Sequence, residues 1–118
     1  MAGLDPAISA AIASDPPTRQ APLMPRGWVY IMTNRQNGVL YVGVTSDLPR
    51  RAWEHREGVV EGFTGRYRLE RLVYAEHHSV IRDAIQREKN IKHWPRVWKI
   101  QLIELQNPDW TDLYDSLL

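Results

Sequence analysis

Five residues of this 118-residue chain carry the groups needed to cut a phosphate ester: Tyr30, Tyr41, Arg51, His55 and Glu88. Cleaving a phosphodiester takes a group that accepts a proton from water, positive charge where negative charge builds on the phosphate, and a hard ligand for a metal ion. Two phenols and an imidazole can move protons. A guanidinium donates two parallel hydrogen bonds to phosphate and keeps its charge at any physiological pH. A lone carboxylate suits Mg²⁺, which takes one or two protein carboxylates and retains several waters; Mn²⁺ would serve in its place. His77, His78 and His93 lack zinc spacing with matching acids and read as surface residues. There is no cysteine, which excludes disulfides, thiolate zinc sites and cysteine nucleophiles.

The spacing of the apolar residues says where these groups stand. Val29 and Ile31 alternate with Trp28, Tyr30 and Met32, and Leu40, Val42 and Val44 alternate with Val39, Tyr41, Gly43 and Thr45. A period of two makes both runs strands, with the aliphatic side chains on the core side and both tyrosines on the side that does not make the core. The turn, Asn34 to Gly38, sets the register, because a slip of one residue reverses every side chain. A two-residue Asn37-Gly38 loop would be a favoured type I′ turn, yet it parts the tyrosines by about 13 Å at about 3.3 Å per residue. A four-residue loop, Arg35 to Gly38, sets Tyr30 opposite Gly43 and Tyr41 opposite Met32, so the tyrosines become diagonal neighbours about 7–8 Å apart. Gly43 would then leave an open notch where a ligand or another backbone can approach. Tyrosine also packs well on any pleated surface, so the pair gains functional weight only in company.

A first helix is expected from Asp47, whose side chain can cap it while Pro49 is tolerated in the first turn, to about Glu57 before Gly58. Arg51 and His55 share a face at i, i+4, and Arg50 and Glu54 form the neighbouring pair. Taken singly, such residues on an amphipathic helix are commonly solvated. A second helix, capped by Ser79 and lasting to about His93, carries the apolar stripe Ile81, Ala84, Ile85 and Ile91, and Glu88 falls inside it at the i+7 position. Burying an unpaired charge is costly, so Glu88 must meet a cation, a metal ion or a wet cavity. An arginine from another element, or a stripe that drifts to the surface by its third turn, would satisfy it without chemistry.

The elements that carry these residues make one small domain. Hydrophobic residues are 43% of the chain, enough for a core of modest size. Residues 1–26 contain Pro6, Pro16, Pro17, Pro22 and Pro25 with little periodicity, which predicts a disordered Pro/Ala-rich leader holding at most a helical turn near residues 7–13. The single domain is residues 27–118. Arg71–Glu76 reads as a third strand, Pro95 opens a third helix to about Glu104, Asn107-Pro108-Asp109 ends it, and Thr111–Leu117 forms a last short helix. The fold class is α+β, a three-stranded antiparallel sheet flanked by helices in the order β-β-α-β-α-α. No run nears the roughly 20 apolar residues that cross a bilayer. The start lacks the basic region of a signal peptide and carries Asp5 instead, so a cytoplasmic protein is expected. Net charge is only +1, but residues 27–104 hold thirteen Lys and Arg against nine Asp and Glu. A basic body is compatible with a polyanionic partner.

Together the motifs resemble one family. Val29-Tyr30-Ile31, then Leu40-Tyr41-Val42-Gly43-Val44-Thr45-Ser46-Asp47-Leu48-Pro49-Arg50-Arg51-Ala52-Trp53-Glu54-His55, then Arg87-Glu88-Lys89 look like the GIY-YIG nuclease domain over about residues 27–110. Phe63-Thr64, Tyr67, Leu72-Val73-Tyr74, Glu76 and Asn107-Pro108-Asp109-Trp110 resemble its small stand-alone bacterial members more than homing endonucleases or the excision-repair nuclease. Trp28-Val29 replaces the motif glycine before the first tyrosine. The resemblance implies that Tyr30 and Tyr41 are the motif tyrosines, Arg51 the helix arginine, His55 the residue one turn later, and Glu88 the metal-binding carboxylate, with Mg²⁺ the usual ion.

The expected activity is metal-dependent endonucleolytic hydrolysis of DNA with low sequence specificity, in repair, recombination or a mobile element. Glu88 would hold Mg²⁺ against a non-bridging and the leaving oxygen, Arg51 would clamp the phosphate, and a deprotonated tyrosine, Tyr30 in preference to Tyr41, would take the proton from water. A free phenol has a pKa of about 10, so Arg51 and the metal must lower it or His55 must take its proton. Arg50, Arg66, Arg68, Lys89, Lys92 and Lys99 would grip phosphates, contacts that position a duplex without reading it. Selectivity would fall to nicks, flaps or branches, or to a partner protein. Two other classes use fewer of these residues. A non-catalytic nucleic-acid-binding module would stack bases on the tyrosines, against which an inward acid stands. A protein adaptor would use the five tryptophans, of which Trp94, Trp98 and Trp110 cluster near the end, although tryptophan at such spacings more commonly builds core.

Overall fold

The central strand β1 (Gly27–Thr33) organises the molecule, pairing antiparallel with β2 (Leu40–Thr45) on one side and β3 (Arg71–His78) on the other. A computed structural model describes residues 25–59 and 66–117. Residues 1–24 of the expected leader, with its helical turn, and Phe63-Thr64 in the following loop lie outside the described residues. Among the described residues the helices α1 (Leu48–Arg56), α2 (Ile81–Lys92) and α3 (Arg96–Gln106) follow the hairpin, then a 3₁₀ turn at Tyr114–Leu117. The α+β architecture and element order are those expected from the patterning.

The hairpin register is the one required by a four-residue loop, with Tyr30 opposite Gly43 and Met32 opposite Tyr41. Asn34 Oδ1 accepts from the Val39 amide at 3.0 Å and the Gly38 amide donates to the Arg35 carbonyl at 2.9 Å, closing that loop. Asn37 turns the corner at φ 57°, a left-handed conformation that asparagine tolerates.

Both faces of the sheet are buried, which corrects the expectation that the tyrosines face away from a core. Val29, Ile31, Val42, Val44 and Val73 pack under Ile81, Ala84 and Ile91 of α2, Ile103 of α3 and Trp110. On the other face Tyr30, Met32 and Leu72 pack with Leu48 and Ala52 of α1 and with Leu69, and Leu113 and Leu117 lean on them. Alternation separates two faces of a strand but does not say whether a helix later covers the second one. Here α1 and the C-terminal turn both do.

Local caps explain where the helices begin and end. Asp47 accepts from the Arg50 amide at 3.2 Å and Pro49 stands in the first turn of α1, as expected. Gly58, at φ 71°, follows the Glu57 cap, a position that suits a residue without Cβ. For α2 the expected Ser79 cap is absent: the helix starts one residue later, Val80 takes the cap position without a side-chain bond, and the Ile81 amide donates to the Pro25 carbonyl at 2.7 Å. β3 correspondingly runs two residues further than expected, to His78. Gly27 lets α2 come close, since a Cβ there would lie 3.0 Å from Ala84 Cβ.

Candidate active site

Because α1 crosses the tyrosine face, residues 51 and 55 of that helix come down over the phenols. Tyr30 is 1% exposed. Its hydroxyl lies 3.3 Å from Arg51 Nε and 3.3 Å from His55 Nε2. A guanidinium can only donate, so the phenol oxygen accepts from Arg51, while the direction of its bond to His55 follows the imidazole tautomer. Tyr41 completes the group, with ring centroids 6.3 Å from Tyr30 and 5.8 Å from His55. Four of the five expected side chains therefore meet. The notch expected at Gly43 is filled by the Tyr30 ring itself: a Cβ on Gly43 would sit 2.5 Å from Tyr30 Cζ and its hydroxyl oxygen.

Electrostatics revise the proton route. His55 is buried, and burial, then the Arg51 charge, lowers its pKa from 6.5 to about 3. A ring that stays neutral is a poor resting place for a phenolic proton, so the expected transfer from tyrosine to His55 gives way to a hydrogen bond. His55 Nδ1 is buried with no hydrogen-bond partner. Burial also separates the two phenols, since Tyr41 is only partly buried whereas Tyr30 is enclosed. Arg51 is held from behind by Glu54, whose Oε1 accepts from Nη1 at 3.0 Å, while Arg50 Nε lies 3.5 Å from Oε2. Sequence spacing paired Glu54 with Arg50 alone; the i, i+3 spacing to Arg51 was the overlooked signal.

Glu88 belongs to the opposite layer. Its helix packs on the aliphatic face, and Glu88 is 2% exposed beside Ala84 and Ile91, aimed inward as its place in the stripe required. Its cation is Lys92, one turn along the same helix, with Nζ 2.6 Å from Oε2, rather than an arginine from elsewhere. The contact is an ion pair at 2.6 Å, and Oε2 has no hydrogen-bond partner besides that ammonium. Burial raises the Glu88 pKa, opposed by Lys92 and then Lys89. Among the described residues no three His, Asp or Glu side chains form a preassembled metal cage. A Mg²⁺ ion that keeps its waters needs only one or two carboxylates, and Glu88 Oε2, buried with no partner but the Lys92 ammonium, would serve as one.

The expected phosphate contacts divide. Arg50, with its side chain 73% exposed, and Arg66, Arg68 and Lys89 are open to solvent. Arg66 stands over the Tyr67 ring at 5.7 Å. Lys92 and Lys99 instead have tasks within the fold. Lys99 Nζ donates to the Lys92 carbonyl at 3.2 Å, and burial, then Arg96 and Lys92, lowers its pKa. His78, read from sequence as a surface residue, is half-buried with Nε2 2.6 Å from Glu76 Oε2. It belongs to a second polar group: the Tyr74 hydroxyl donates to Glu76 Oε1 and Arg87 Nε donates to Oε2 at 3.0 Å.

No helix among the described residues is long and apolar enough to cross a membrane. Comparison with known proteins gives the family. A UPF0213 protein of Staphylococcus saprophyticus is 32% identical over 80 residues, 68% of this chain and 96% of its own. A UPF0213 protein of Staphylococcus haemolyticus is 35% identical over 69% of this chain and 98% of its own. The solution NMR structure of a UPF0213 protein from Bacillus halodurans aligns with a TM-score of 0.46 at 29% identity, covering 74% of this chain and 92% of that one. The GIY-YIG catalytic domain matches residues 26–101, which span both tyrosines, Arg51, His55 and Glu88. The chain belongs to the GIY-YIG catalytic domain family, a family of nucleases.

Proposed function

We propose that this protein is a Mg²⁺-dependent endonuclease that hydrolyses phosphodiester bonds in DNA with little sequence preference. The observation that carries the reading is the convergence of Arg51, His55 and Tyr30 at 3.3 Å contacts beside Tyr41. Arg51, buttressed by Glu54, presents a fixed charge to a phosphate and faces the negative charge that develops there. The enclosure of Tyr30 supports Tyr41 as the phenol that meets the attacking water, with Tyr30 orienting Arg51 and His55. This reverses the preference drawn from sequence. His55, neutral, bonds the Tyr30 hydroxyl and adds no second charge beside Arg51. Glu88 would hold the ion from α2, which packs on the other face of the sheet from Arg51, His55 and the phenols; when bound, Mg²⁺ would supply Lewis-acid charge. Exposed Arg50, Arg66, Arg68 and Lys89 would meet backbone phosphates, and such contacts do not read sequence.

One observation favours a second reading, a non-catalytic nucleic-acid-binding module: Lys92 already neutralises the inward carboxylate, so the fold does not need a metal to tolerate it. A panel of plasmid, nicked, flapped, branched and single-stranded substrates, incubated with Mg²⁺ or EDTA, distinguishes the two. The expected result is Mg²⁺-dependent product from the parent and none from Glu88→Ala or Arg51→Ala. Equal cleavage by parent and Glu88→Ala would remove the metal-dependent nuclease mechanism, and binding without product would establish the module.

A further inference from the structure

Glu88 and Lys92 form a pair in which the carboxylate is 2% exposed and the lysine side chain 20% exposed. Of the two, Lys92 is the partner that reaches solvent. The order, acid first and base four residues later, is the favourable one on a helix, and the ammonium sits 2.6 Å from Oε2. Lys92 is also anchored at its backbone, where its carbonyl accepts from Lys99 Nζ. The last turn of α2 is thus pinned while the side chain above it covers the carboxylate.

An ammonium and a divalent cation cannot share one carboxylate oxygen, because at such distances like charges repel by several kcal/mol even at an effective dielectric of about 20. We propose that Lys92 is the resident counter-ion of Glu88, a lysine gate that a divalent cation must displace to reach the carboxylate. This rests on the assignment of Glu88 as the metal ligand. The pair keeps the domain folded without metal by neutralising a buried acid, and it tunes metal affinity downward in return. Once displaced, the Lys92 ammonium lies at the rim of the same helix turn as a cation for the phosphate backbone. The role expected of Lys92 from sequence then applies only to the metal-loaded protein.

The test uses Mn²⁺ binding to the full chain, followed by loss of the free-ion electron paramagnetic resonance signal, with circular dichroism confirming the fold of each variant. Lys92→Met is expected to tighten the Mn²⁺ dissociation constant by about five- to tenfold, whereas Lys92→Arg, which keeps the charge, leaves it unchanged or weaker. Lys92→Gln carries the same expectation as Lys92→Met if the latter does not fold. Mn²⁺ binding that is no tighter in the folded neutral variant than in the parent overturns the gate. Glu88→Gln separates the gate from the metal site beneath it: its binding Mn²⁺ as the parent does would overturn the Glu88 metal assignment and the gate together. Loss of binding in Glu88→Gln, with no change in Lys92→Met, overturns the gate alone.

Discussion

The two faces of the sheet carry polar clusters built from nearly the same side chains, and they are satisfied very differently. Under α2, Tyr74, His78 and Arg87 all converge on the Glu76 carboxylate, with contacts of 2.6 Å from His78 and 3.0 Å from Arg87. Burial would raise the Glu76 pKa, but Tyr74, His78 and Arg87 together bring it below the ordinary value. The Tyr74 phenol is pushed far up by burial and by Glu76, which locks its proton in place. Under α1, Tyr30, His55 and Arg51 meet around a phenol instead of an acid, at 3.3 Å, and His55 Nδ1 has no partner. A cluster closed on a carboxylate spends its hydrogen bonds on the fold, whereas one left under-satisfied is where a ligand can still add interactions. The contrast separates a cluster closed on a carboxylate from one that leaves a buried imidazole nitrogen unbonded.

The largest expected effects are on turnover and, Glu88 apart, they should fall on the α1 face. Tyr41→Phe and Arg51→Ala are each expected to lower kcat by about 10²- to 10³-fold, while Tyr74→Phe leaves kcat within about twofold and costs about 1–2 kcal/mol of stability. Steady-state cleavage and urea unfolding of the three variants measure both. Equal losses of activity from Tyr41→Phe and Tyr74→Phe would erase the distinction between the clusters.

Next in size is a pH effect. His55 has a folded pKa near 3 against 6.5 for an imidazole in water, so the unfolded chain binds the proton more readily. Its contribution to stability is complete above about pH 6.5 and is lost as pH falls from there toward 3. Between pH 7 and pH 4 the loss is up to about 3 kcal/mol, at about 1.4 kcal/mol per pKa unit. Unfolding of the parent and of His55→Gln across that range isolates the contribution, because other groups titrate equally in both; parallel curves would show that His55 is not held neutral.

Gly43→Ala is a finer probe of the same cluster. The added methyl would lie 2.5 Å from Tyr30 Cζ, so the ring must move and its bonds to Arg51 and His55 lengthen. Activity is expected to drop about tenfold with the fold retained, read by cleavage rate beside near-ultraviolet circular dichroism. The smallest effect sets the start of one helix against that of another. Asp47→Ala should cost α1 about 1 kcal/mol, and Ser79→Ala should change the unfolding midpoint hardly at all, since α2 is capped elsewhere.

Much of this arrangement is legible in the chain because periodicity constrains direction. Alternation together with an even loop places Tyr30 against Gly43, and a helical repeat places Glu88 inward, and both hold. Asp47 and Pro49 mark the start of α1 because their conformational preferences are local. What escapes is decided by contacts between distant segments. Nothing around Tyr30 says that α1 and Leu113 will bury the second face. The charge at Lys92 is visible, but its selection over an arginine from another element depends on side-chain reach. His78 looks exposed until its ring pairs with the Glu76 carboxylate, which Arg87, eleven residues further along, also engages.

The bond from Ile81 to the Pro25 carbonyl ties the beginning of α2 to the chain immediately ahead of β1. A main-chain acceptor survives every replacement of side chains at 79 and 80, so mutation there cannot uncap the helix. A shift of the β1 ladder can, because it carries the carbonyl away with it. Pairing of the middle strand and initiation of the helix that bears Glu88 thus become one cooperative step, and an error in strand alignment is reported at once as a frayed helix on the far side of the domain.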